Sequence, residues 1–248
     1  MNQEKPTKGC LLLHGLSATP ATIFSLRDLL VTAGFRVSAP ALSGHGGDLA
    51  DLARSTHGDW YQSAYTAFQK LRREVDRLFV AGLSLGALLA LKLAINESAG
   101  ISALALLGTP LILSPRVRAI TFAVRYSPLR WIVRSVKKNL EESVADPEGR
   151  ILYAYSSLPR IPVSSVFELC DLQKEVARGL GTLSHPILFL HGREDTVAPI
   201  ENVALLKKRL SRAIVENRIF ASSRHVITMD FEKEEVAQTV VDFFNRFS

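Results

Sequence analysis

The chain has little of what marks several classes of protein. It contains two cysteines among 248 residues, so no disulfide framework is expected, and no Cys/His cluster has the spacing of a zinc site. Its longest apolar runs, such as 79–83 and 103–108, are far shorter than the roughly 18 residues that a membrane-spanning helix needs. The run at 11–13 is also too short for the core of a signal peptide. We therefore expect a cytoplasmic protein without a metal site and with a reduced, buried Cys10.

Acidic residues are missing from one segment, and this is where the excess of positive charge lies. The formal net charge is +6, but seven basic residues and no acidic one occur between Ser114 and Lys138, which leaves the rest of the chain about neutral. These residues are Arg116, Arg118, Arg125, Arg130, Arg134, Lys137 and Lys138. Because no recognised nucleic-acid module accompanies the segment, nucleic acid is not an expected partner.

Apolar runs of strand length alternate with segments of helical pattern along most of the chain. The runs are apolar throughout, which is typical of strands covered on both faces of a parallel sheet. The pattern predicts an α/β fold with a mostly parallel sheet of about six strands or more, flanked by helices. The predicted strands are 9–13, 35–39, 77–81, 101–107, 186–190 and 213–220, and the main predicted helices are 20–33, 59–74, 85–96 and 231–247. Ligands of such folds bind beyond the carboxyl ends of the strands, so site residues should directly follow a strand.

The regular alternation stops between Pro110 and His185. This segment contains five prolines and no clear strand. Because a structureless loop of this length is uncommon, we expect an inserted helical lid at 111–184, with short helices at 117–126 and 129–138. Residues 1–110 and 185–248 would then form the core of the fold.

The predicted strand at 77–81 leads directly into Gly82-Leu83-Ser84-Leu85-Gly86 and then into a predicted helix. This is a G-x-S-x-G nucleophile elbow in the strand–turn–helix context that the motif requires. The turn is so sharp that side chains beside the nucleophile would clash, and the two glycines relieve this. Ser84 is the predicted nucleophile, at a helix N-terminus that favours negative charge. The backbone N–H of Leu85 is one predicted oxyanion donor.

A second oxyanion donor is predicted after the first strand, which ends in His14-Gly15-Leu16. A glycine directly past a strand lets the backbone turn toward the neighbouring strand end. The N–H of Leu16 can then point to the same oxyanion. His14 itself is predicted to be structural and to hold this loop through a hydrogen bond.

Of the six histidines, His225 is the predicted base for Ser84. It lies in a polar loop between the last strand and the last helix, where its ring could swing between Ser84 and the leaving group. In folds that carry this elbow, the catalytic residues also follow the chain order serine, acid, histidine. His14 and His191 each precede a glycine at a strand end and are interpreted as loop organisers.

The acid should follow the strand that lies between Ser84 and His225 in the chain. The run at 187–190 ends in His191-Gly192-Arg193-Glu194-Asp195, and Asp195 lies at the expected distance past it. Its short side chain suits a rigid group that orients an imidazole. The adjacent Glu194 is a second candidate that the sequence leaves open.

These residues resemble the α/β-hydrolase superfamily and, within it, the small bacterial carboxylesterases and monoacylglycerol lipases. The similarity extends over most of the chain and is carried by LLLHGL at 11–16, AP at 39–40 with GHG at 44–46, DW at 59–60, AGLSLG at 81–86, HGRED at 191–195 and SSRHVITMD at 222–230. The last motif is the most specific, because it matches the local sequence around the family's histidine. The resemblance maps Ser84, Asp195, His225, Leu16 and Leu85 onto the family's catalytic and oxyanion positions, and it implies no cofactor.

The resemblance implies hydrolysis of short- to medium-chain acyl esters through a Ser-Asp-His triad and an acyl-enzyme intermediate. A monoacylglycerol lipase or a thioesterase on the same fold is the alternative, since the triad does not distinguish them. A non-catalytic binding protein is a remote alternative, because such a protein would be expected to have lost a triad residue. The expected partner is a small acyl ester, and the oligomeric state is left open.

The predicted lid combines the basic segment with apolar side chains, among them Phe122 and Trp131. We expect the apolar side to cover the acyl pocket, with Phe122 and Trp131 contacting the substrate. Basic amphipathic helices also favour anionic interfaces, so weak association of the lid with anionic lipid is a further prediction.

Overall fold

Residues 7–248 are described by the computed structural model, and their central strands follow the apolar runs of the sequence. The strands are β1 (Lys8–Leu13), β2 (Arg36–Ser38), β3 (Arg77–Leu83), β4 (Ala103–Leu107), β5 (Ser135–Lys137), β6 (Arg160–Pro162), β7 (Pro186–Gly192) and β8 (Ile214–Phe220). Six of them form one sheet in the order β2-β1-β3-β4-β7-β8, in which every neighbouring pair is parallel. The predicted α/β sheet is confirmed.

Eleven α-helices accompany these strands within the described residues. They are α1 (Phe24–Thr32), α2 (Leu49–Arg54), α3 (His57–Arg72), α4 (Leu85–Asn96), α5 (Pro115–Arg125), α6 (Leu129–Ile132), α7 (Leu140–Ser143), α8 (Pro147–Tyr155), α9 (Val163–Gly179), α10 (Glu201–Arg209) and α11 (Lys233–Asn245). The helix after the elbow, α4, has its predicted bounds. The predicted helix at 20–33 begins instead as a 3₁₀ turn, Pro20–Ile23, that precedes α1. From residue 7 onward, no helix is both long and apolar enough to cross a membrane.

The central strands are apolar on both faces because each face is covered by helices. In β1, Leu11 and Leu13 belong to a buried cluster with residues of α3, α4 and α9, whereas Cys10 and Leu12 belong to a second cluster with residues of α1 and α11. Each fully buried leucine contributes about 1.5–3 kcal/mol to folding. Cys10 is a buried free thiol in the second cluster.

The segment between β4 and β7 contains regular structure that the sequence only partly predicts. It contains five helices, α5 to α9, but also an antiparallel pair formed by β5 and β6. The expectation of a helix over 129–138 is therefore wrong after Ile132, because Val133 turns the backbone to an extended conformation. α9 packs against α2, α3 and α4 of the main fold. Treating 111–184 as a separate lid stays a prediction.

Candidate active site

Ser84 lies in the turn between β3 and α4 with φ of 54° and ψ of −113°. This conformation is rare for residues with a side chain and costs on the order of 1–3 kcal/mol. A Cβ at Gly82 would overlap the backbone of Gly86, and a Cβ at Gly86 would overlap the carbonyl of Leu13. Gly82 is therefore required for the sharp turn itself, and Gly86 for the close approach of the elbow to β1.

A continuous chain of hydrogen bonds joins Ser84, His225 and Asp195. The Nε2 of His225 lies 2.8 Å from the Oγ of Ser84, and its Nδ1 lies 2.8 Å from the Oδ2 of Asp195. All three residues are largely buried. A serine hydroxyl that donates to an imidazole oriented by a carboxylate is the arrangement that activates a nucleophile. The structure thus brings together the three side chains that the sequence singles out.

The two adjacent acids after β7 have different surroundings. The Oδ1 of Asp195 accepts hydrogen bonds from the backbone N–H groups of Val197 and Ala198, at 2.9 and 2.8 Å, which leaves Oδ2 for His225. The side chain of Glu194 is 53% exposed and forms an ion pair with Arg224 at 3.4 Å. Geometry therefore favours Asp195 as the group that orients His225.

The polar loop that carries His225 is anchored by two carboxylates. Asp230 is fully buried and accepts four backbone hydrogen bonds, while Glu232 accepts three from the start of the loop. The donors to Asp230 are the N–H groups of Ala145, Asp146, Arg224 and Phe231, and those to Glu232 are the N–H groups of Ala221 and Ser222 and the hydroxyl of Ser223. Asp230 is a positioning residue that the sequence reasoning missed, although it ends the motif SSRHVITMD.

The predicted oxyanion donors lie on two segments that meet at Ser84. Leu85 is the first residue of α4, so its N–H has no partner within the helix. Leu16 lines the same cavity as Ser84. A Cβ at Gly15 would lie 3.6 Å from the Cβ of Ser84, which shows how near the backbone of this loop passes.

His14 connects the loop that contains Leu16 to the loop that contains Leu42 through two hydrogen bonds. Its Nδ1 donates to the carbonyl of Gly15 at 2.9 Å, and its Nε2 accepts from the N–H of Leu42 at 3.1 Å. Burial lowers the pKa of His14 to about 3, so the ring stays neutral and can fill both roles at once. His14 therefore has the structural surroundings expected for it.

Ser84 and His225 open onto a cavity of about 250 Å³ with mainly apolar walls. Its lining includes Val117, Val136, Tyr153, Ile161, Val166 and Leu169. A second, almost wholly apolar cavity of about 220 Å³ shares Val117, Val136 and Val166 with the first and extends between α5 and α9. The walls thus come partly from α5, which the sequence predicted, and partly from β5, β6, α8 and α9, which it did not.

Phe122 and Trp131 are not part of this lining. They are 67% and 72% exposed, on α5 and α6 respectively. Contact of these two side chains with the substrate stays a prediction, and the apolar side chains of this segment that line the cavity of Ser84 are Val117 and Val136 instead.

Lys138 differs from the other basic residues of its segment because its side chain points into the protein. The residue is 8% exposed, lines the cavity of Ser84, and places its Nζ 4.6 Å from the ring centre of Tyr153. Within residues 7–248 this Nζ has no hydrogen-bond partner. Burial lowers the pKa of Lys138 to about 7.

The buried lysine should make stability depend on pH. Its pKa falls from 10.5 to about 7 on folding, so the unfolded chain binds more protons between these values and the free energy of unfolding rises with pH there. The full free-energy cost of burying the charged ammonium group of Lys138 is therefore present below about pH 7. We expect Lys138→Met to raise the free energy of unfolding by about 2–4 kcal/mol at pH 6 and by much less at pH 10. Urea denaturation should show this, with exposed Lys207→Met as control. An equal effect at both pH values would contradict it.

No three His, Cys, Asp or Glu side chains in the described part of the chain are grouped closely enough to hold a metal ion.

Comparisons with known proteins agree with the fold, and the similar proteins include lipases and esterases. A family described as serine aminopeptidase, S33, matches the chain over residues 4–233. The chain is 28% identical over 244 residues to the thermostable monoacylglycerol lipase of Bacillus sp. (strain H-257), covering 97% of this chain and 92% of that protein. It is 25% identical over 240 residues to a carboxylesterase of Bacillus subtilis (strain 168), covering 96% and 93%. A structure reported for LipS and LipT, two metagenome-derived lipolytic enzymes, matches with a TM-score of 0.82 at 25% identity and covers 98% of this chain and 96% of that one.

Proposed function

Since the chain belongs to the family described as serine aminopeptidase, S33, and has the fold of the α/β-hydrolase superfamily, we propose that it is a serine carboxylesterase. The observation that carries the proposal is the hydrogen-bonded chain from Ser84 through His225 to Asp195, which opens onto a mainly apolar cavity. The curated relatives are named as a monoacylglycerol lipase and a carboxylesterase. These names favour an ester over an amide as the bond that is cleaved.

In the first half of the proposed reaction, the Oγ of Ser84 attacks the carbonyl carbon of the ester while the Nε2 of His225 takes its proton. The negative charge that forms on the carbonyl oxygen accepts hydrogen bonds from the N–H groups of Leu16 and Leu85. Losing one such donor typically costs about 10²–10³ in rate. His225 then gives its proton to the departing alkoxide, which leaves as the alcohol, and the acyl group stays on Ser84.

In the second half, His225 takes a proton from a water molecule, whose oxygen attacks the acyl carbon. The second oxyanion uses the same two N–H groups, and its collapse releases the carboxylic acid and returns the proton to Ser84. Asp195 stays ionised throughout and stabilises the imidazolium that forms in each half. These steps involve no cofactor.

The acyl chain is proposed to run from Ser84 into the second cavity, past Val117, Val136 and Val166. Filling this connection should shorten the accepted chain. We expect Val166→Phe to lower kcat/KM for p-nitrophenyl decanoate by at least about tenfold and to change that for the acetate by less than about threefold. A series of p-nitrophenyl esters from acetate to palmitate measures this. The matched control is Val31→Phe, at a 54% exposed site on α1. An unchanged chain-length profile in Val166→Phe would mean that the chain lies elsewhere.

A monoacylglycerol lipase is the second candidate, and its support is the Bacillus relative of that name. Monoacylglycerols and acyl thioesters of matched chain length should be assayed beside the p-nitrophenyl esters. If monoacylglycerols give the highest kcat/KM, this candidate replaces the general carboxylesterase. If thioesters do, the enzyme is a thioesterase on the same triad.

We also propose that the outer side of α5 and α6 associates weakly with anionic lipid. Apolar side chains that are 45–75% exposed lie here beside exposed basic residues; the apolar ones are Phe122, Tyr126, Leu129, Trp131 and Ile132, and the basic ones are Arg116, Arg118 and Arg130. Two further exposed basic residues, Arg134 and Lys137, follow α6 in the chain. Two of the seven basic residues in the segment are not expected to attract anionic lipid, because Arg125 is paired with Asp171 and Lys138 is buried. Exposed apolar groups beside basic ones favour an anionic membrane surface.

Vesicle binding at low salt should depend on this face. Each basic residue near an anionic bilayer contributes about 1 kcal/mol, so we expect Arg130→Gln/Arg134→Gln to weaken co-sedimentation with anionic vesicles by about tenfold or more. Arg209→Gln/Arg212→Gln, two exposed arginines outside this face, is the control. Equal, negligible sedimentation with anionic and zwitterionic vesicles would rule out the association.

A further inference from the structure

Lys138 is held firmly at the wall of the Ser84 cavity. Its backbone N–H donates to the carbonyl of Pro159 at 3.0 Å, next to the pairing of β5 with β6. Its ammonium group lies over the ring of Tyr153, whose electrons interact with a cation only weakly compared with a carboxylate. The position of the charge is therefore defined by the fold and is not that of a mobile surface lysine.

No acidic side chain of the described chain pairs with this buried ammonium. Lys138 forms no ion pair there, and burial alone accounts for the lowering of its pKa. Glu142, the acidic residue that lines the same cavity, is exposed and makes no ion pair with Lys138 among the described contacts. A buried cation without a partner is costly, and proteins retain such groups mainly where a ligand or a reaction uses them.

A simple alkyl ester makes no use of a cation in the cavity. A simple alkyl ester presents only apolar groups to the cavity beyond its reacting carbonyl, and leucine or methionine would serve it better than lysine. An anionic group on the substrate would interact with Lys138 more strongly than a neutral group would. The reason is that folding has already removed the ammonium group from water, so binding does not require this step again.

We propose that Lys138 is a specificity-determining residue that binds a carboxylate carried by the ester substrate. The substrate class is then an ester with one free carboxylate, such as a half-ester of a dicarboxylic acid or the acyl ester of a hydroxy acid. This inference rests on the proposed esterase function and adds the substrate class to it. A neutral polar group, such as a glycerol hydroxyl, is the competing occupant.

Matched pairs of substrates test the proposal on both sides of the ester bond. On the acyl side, the p-nitrophenyl half-esters of adipic, pimelic and suberic acid are compared with the same molecules capped as methyl esters. On the alcohol side, hexanoyl esters of lactate, of methyl lactate and of propane-1,2-diol are compared by pH-stat. We expect the free carboxylate to raise kcat/KM at least about tenfold over its methyl-capped partner on one side, mainly through KM.

Measuring the ratio of kcat/KM values for the free and the methyl-capped substrate in Lys138→Met tests whether the preference for the carboxylate depends on this residue. We expect the preference for the carboxylate to fall at least about tenfold in Lys138→Met and to persist in Lys207→Met. Suberate should also inhibit hydrolysis of a neutral ester by the parent enzyme more strongly than by Lys138→Met. A ratio near one on both sides, an unchanged ratio in Lys138→Met, or an equal gain from the propanediol ester would each overturn the proposal.

The esterase activity and the role of Lys138 can be tested separately. If neutral esters are cleaved by the parent enzyme and not by Ser84→Ala, the esterase function holds and the carboxylate ratio judges Lys138 alone. If Ser84→Ala cleaves every ester as well as the parent, the proposed function fails first. Binding of suberate to folded Ser84→Ala protein, measured by calorimetry with and without Lys138→Met, then still reports on Lys138, and equal affinities would overturn its role.

Discussion

Replacing Ser84 or His225 by alanine should lower kcat for p-nitrophenyl butyrate by about 10⁴–10⁶ while leaving the protein folded. Removing either residue breaks the hydrogen bond of 2.8 Å between Oγ and Nε2 on which proton transfer depends. In an enzyme that works through such a unit, losing the nucleophile or the base alone costs nearly as much as losing the whole unit. The double variant should therefore be little slower than either single one.

The measurement needs a control for folding and one for contaminating esterases. Ser211→Ala removes a hydroxyl from an exposed turn between α10 and β8 and should keep full activity. The free energy of unfolding of Ser84→Ala should stay within about 1 kcal/mol of the parent, since alanine at position 84 keeps the same backbone. His225→Ala removes a buried ring, so for this variant a cooperative unfolding transition is the control for folding. Residual activity within tenfold of the parent in either catalytic variant would contradict the assignment.

Asp195→Asn should lower kcat by about 10⁴, whereas Glu194→Gln should lower it by less than about tenfold. An asparagine at 195 can present its N–H₂ to Nδ1 of His225, which holds the imidazole in the wrong tautomer for accepting the Ser84 proton. Glu194 loses only a partly exposed ion pair with Arg224, and exposed pairs contribute about 0–1 kcal/mol. Steady-state kinetics on one ester compare the adjacent positions directly. The reverse order of effects would place the acid at Glu194.

The elbow and the polar residues after the strands could be predicted from the sequence for a physical reason. A strained turn tolerates only a narrow choice of residues, so Gly82 and Gly86 must flank Ser84, and parallel strands bring their carboxyl ends to one edge. Asp195 follows β7 and His225 follows β8, which are neighbours in the sheet. Short sequence motifs therefore identify these residues, and the strand order of the sheet brings them close together.

The walls of the cavity could not be predicted in the same way. Strands of three residues, such as β5 and β6, are too short to show a period, and their pairing depends on contacts between residues 25 apart, such as Ser135 and Arg160. The burial of Lys138 is the clearest example. Lys138 directly follows exposed Lys137, and the sequence gives no reason to expect one of these two lysines rather than the other to be buried. The contacts of Lys138 with the ring of Tyr153 and the carbonyl of Pro159 join residues that are far from it in the chain, so the local sequence does not indicate which of the two lysines is buried.

Labelling with a fluorophosphonate is the sharpest test of the claim that Ser84 is the nucleophile of a serine hydrolase. The Oγ of the nucleophile displaces fluoride from phosphorus, and the adduct resembles the tetrahedral intermediate that Leu16 and Leu85 are proposed to stabilise. We expect one adduct per chain, loss of esterase activity in proportion to labelling, and mass mapping of the adduct to the peptide that contains Ser84. His225→Ala should label far more slowly, since the serine then lacks its base. Complete inactivation with the adduct on a peptide that lacks Ser84, or full labelling of Ser84→Ala, would contradict the claim.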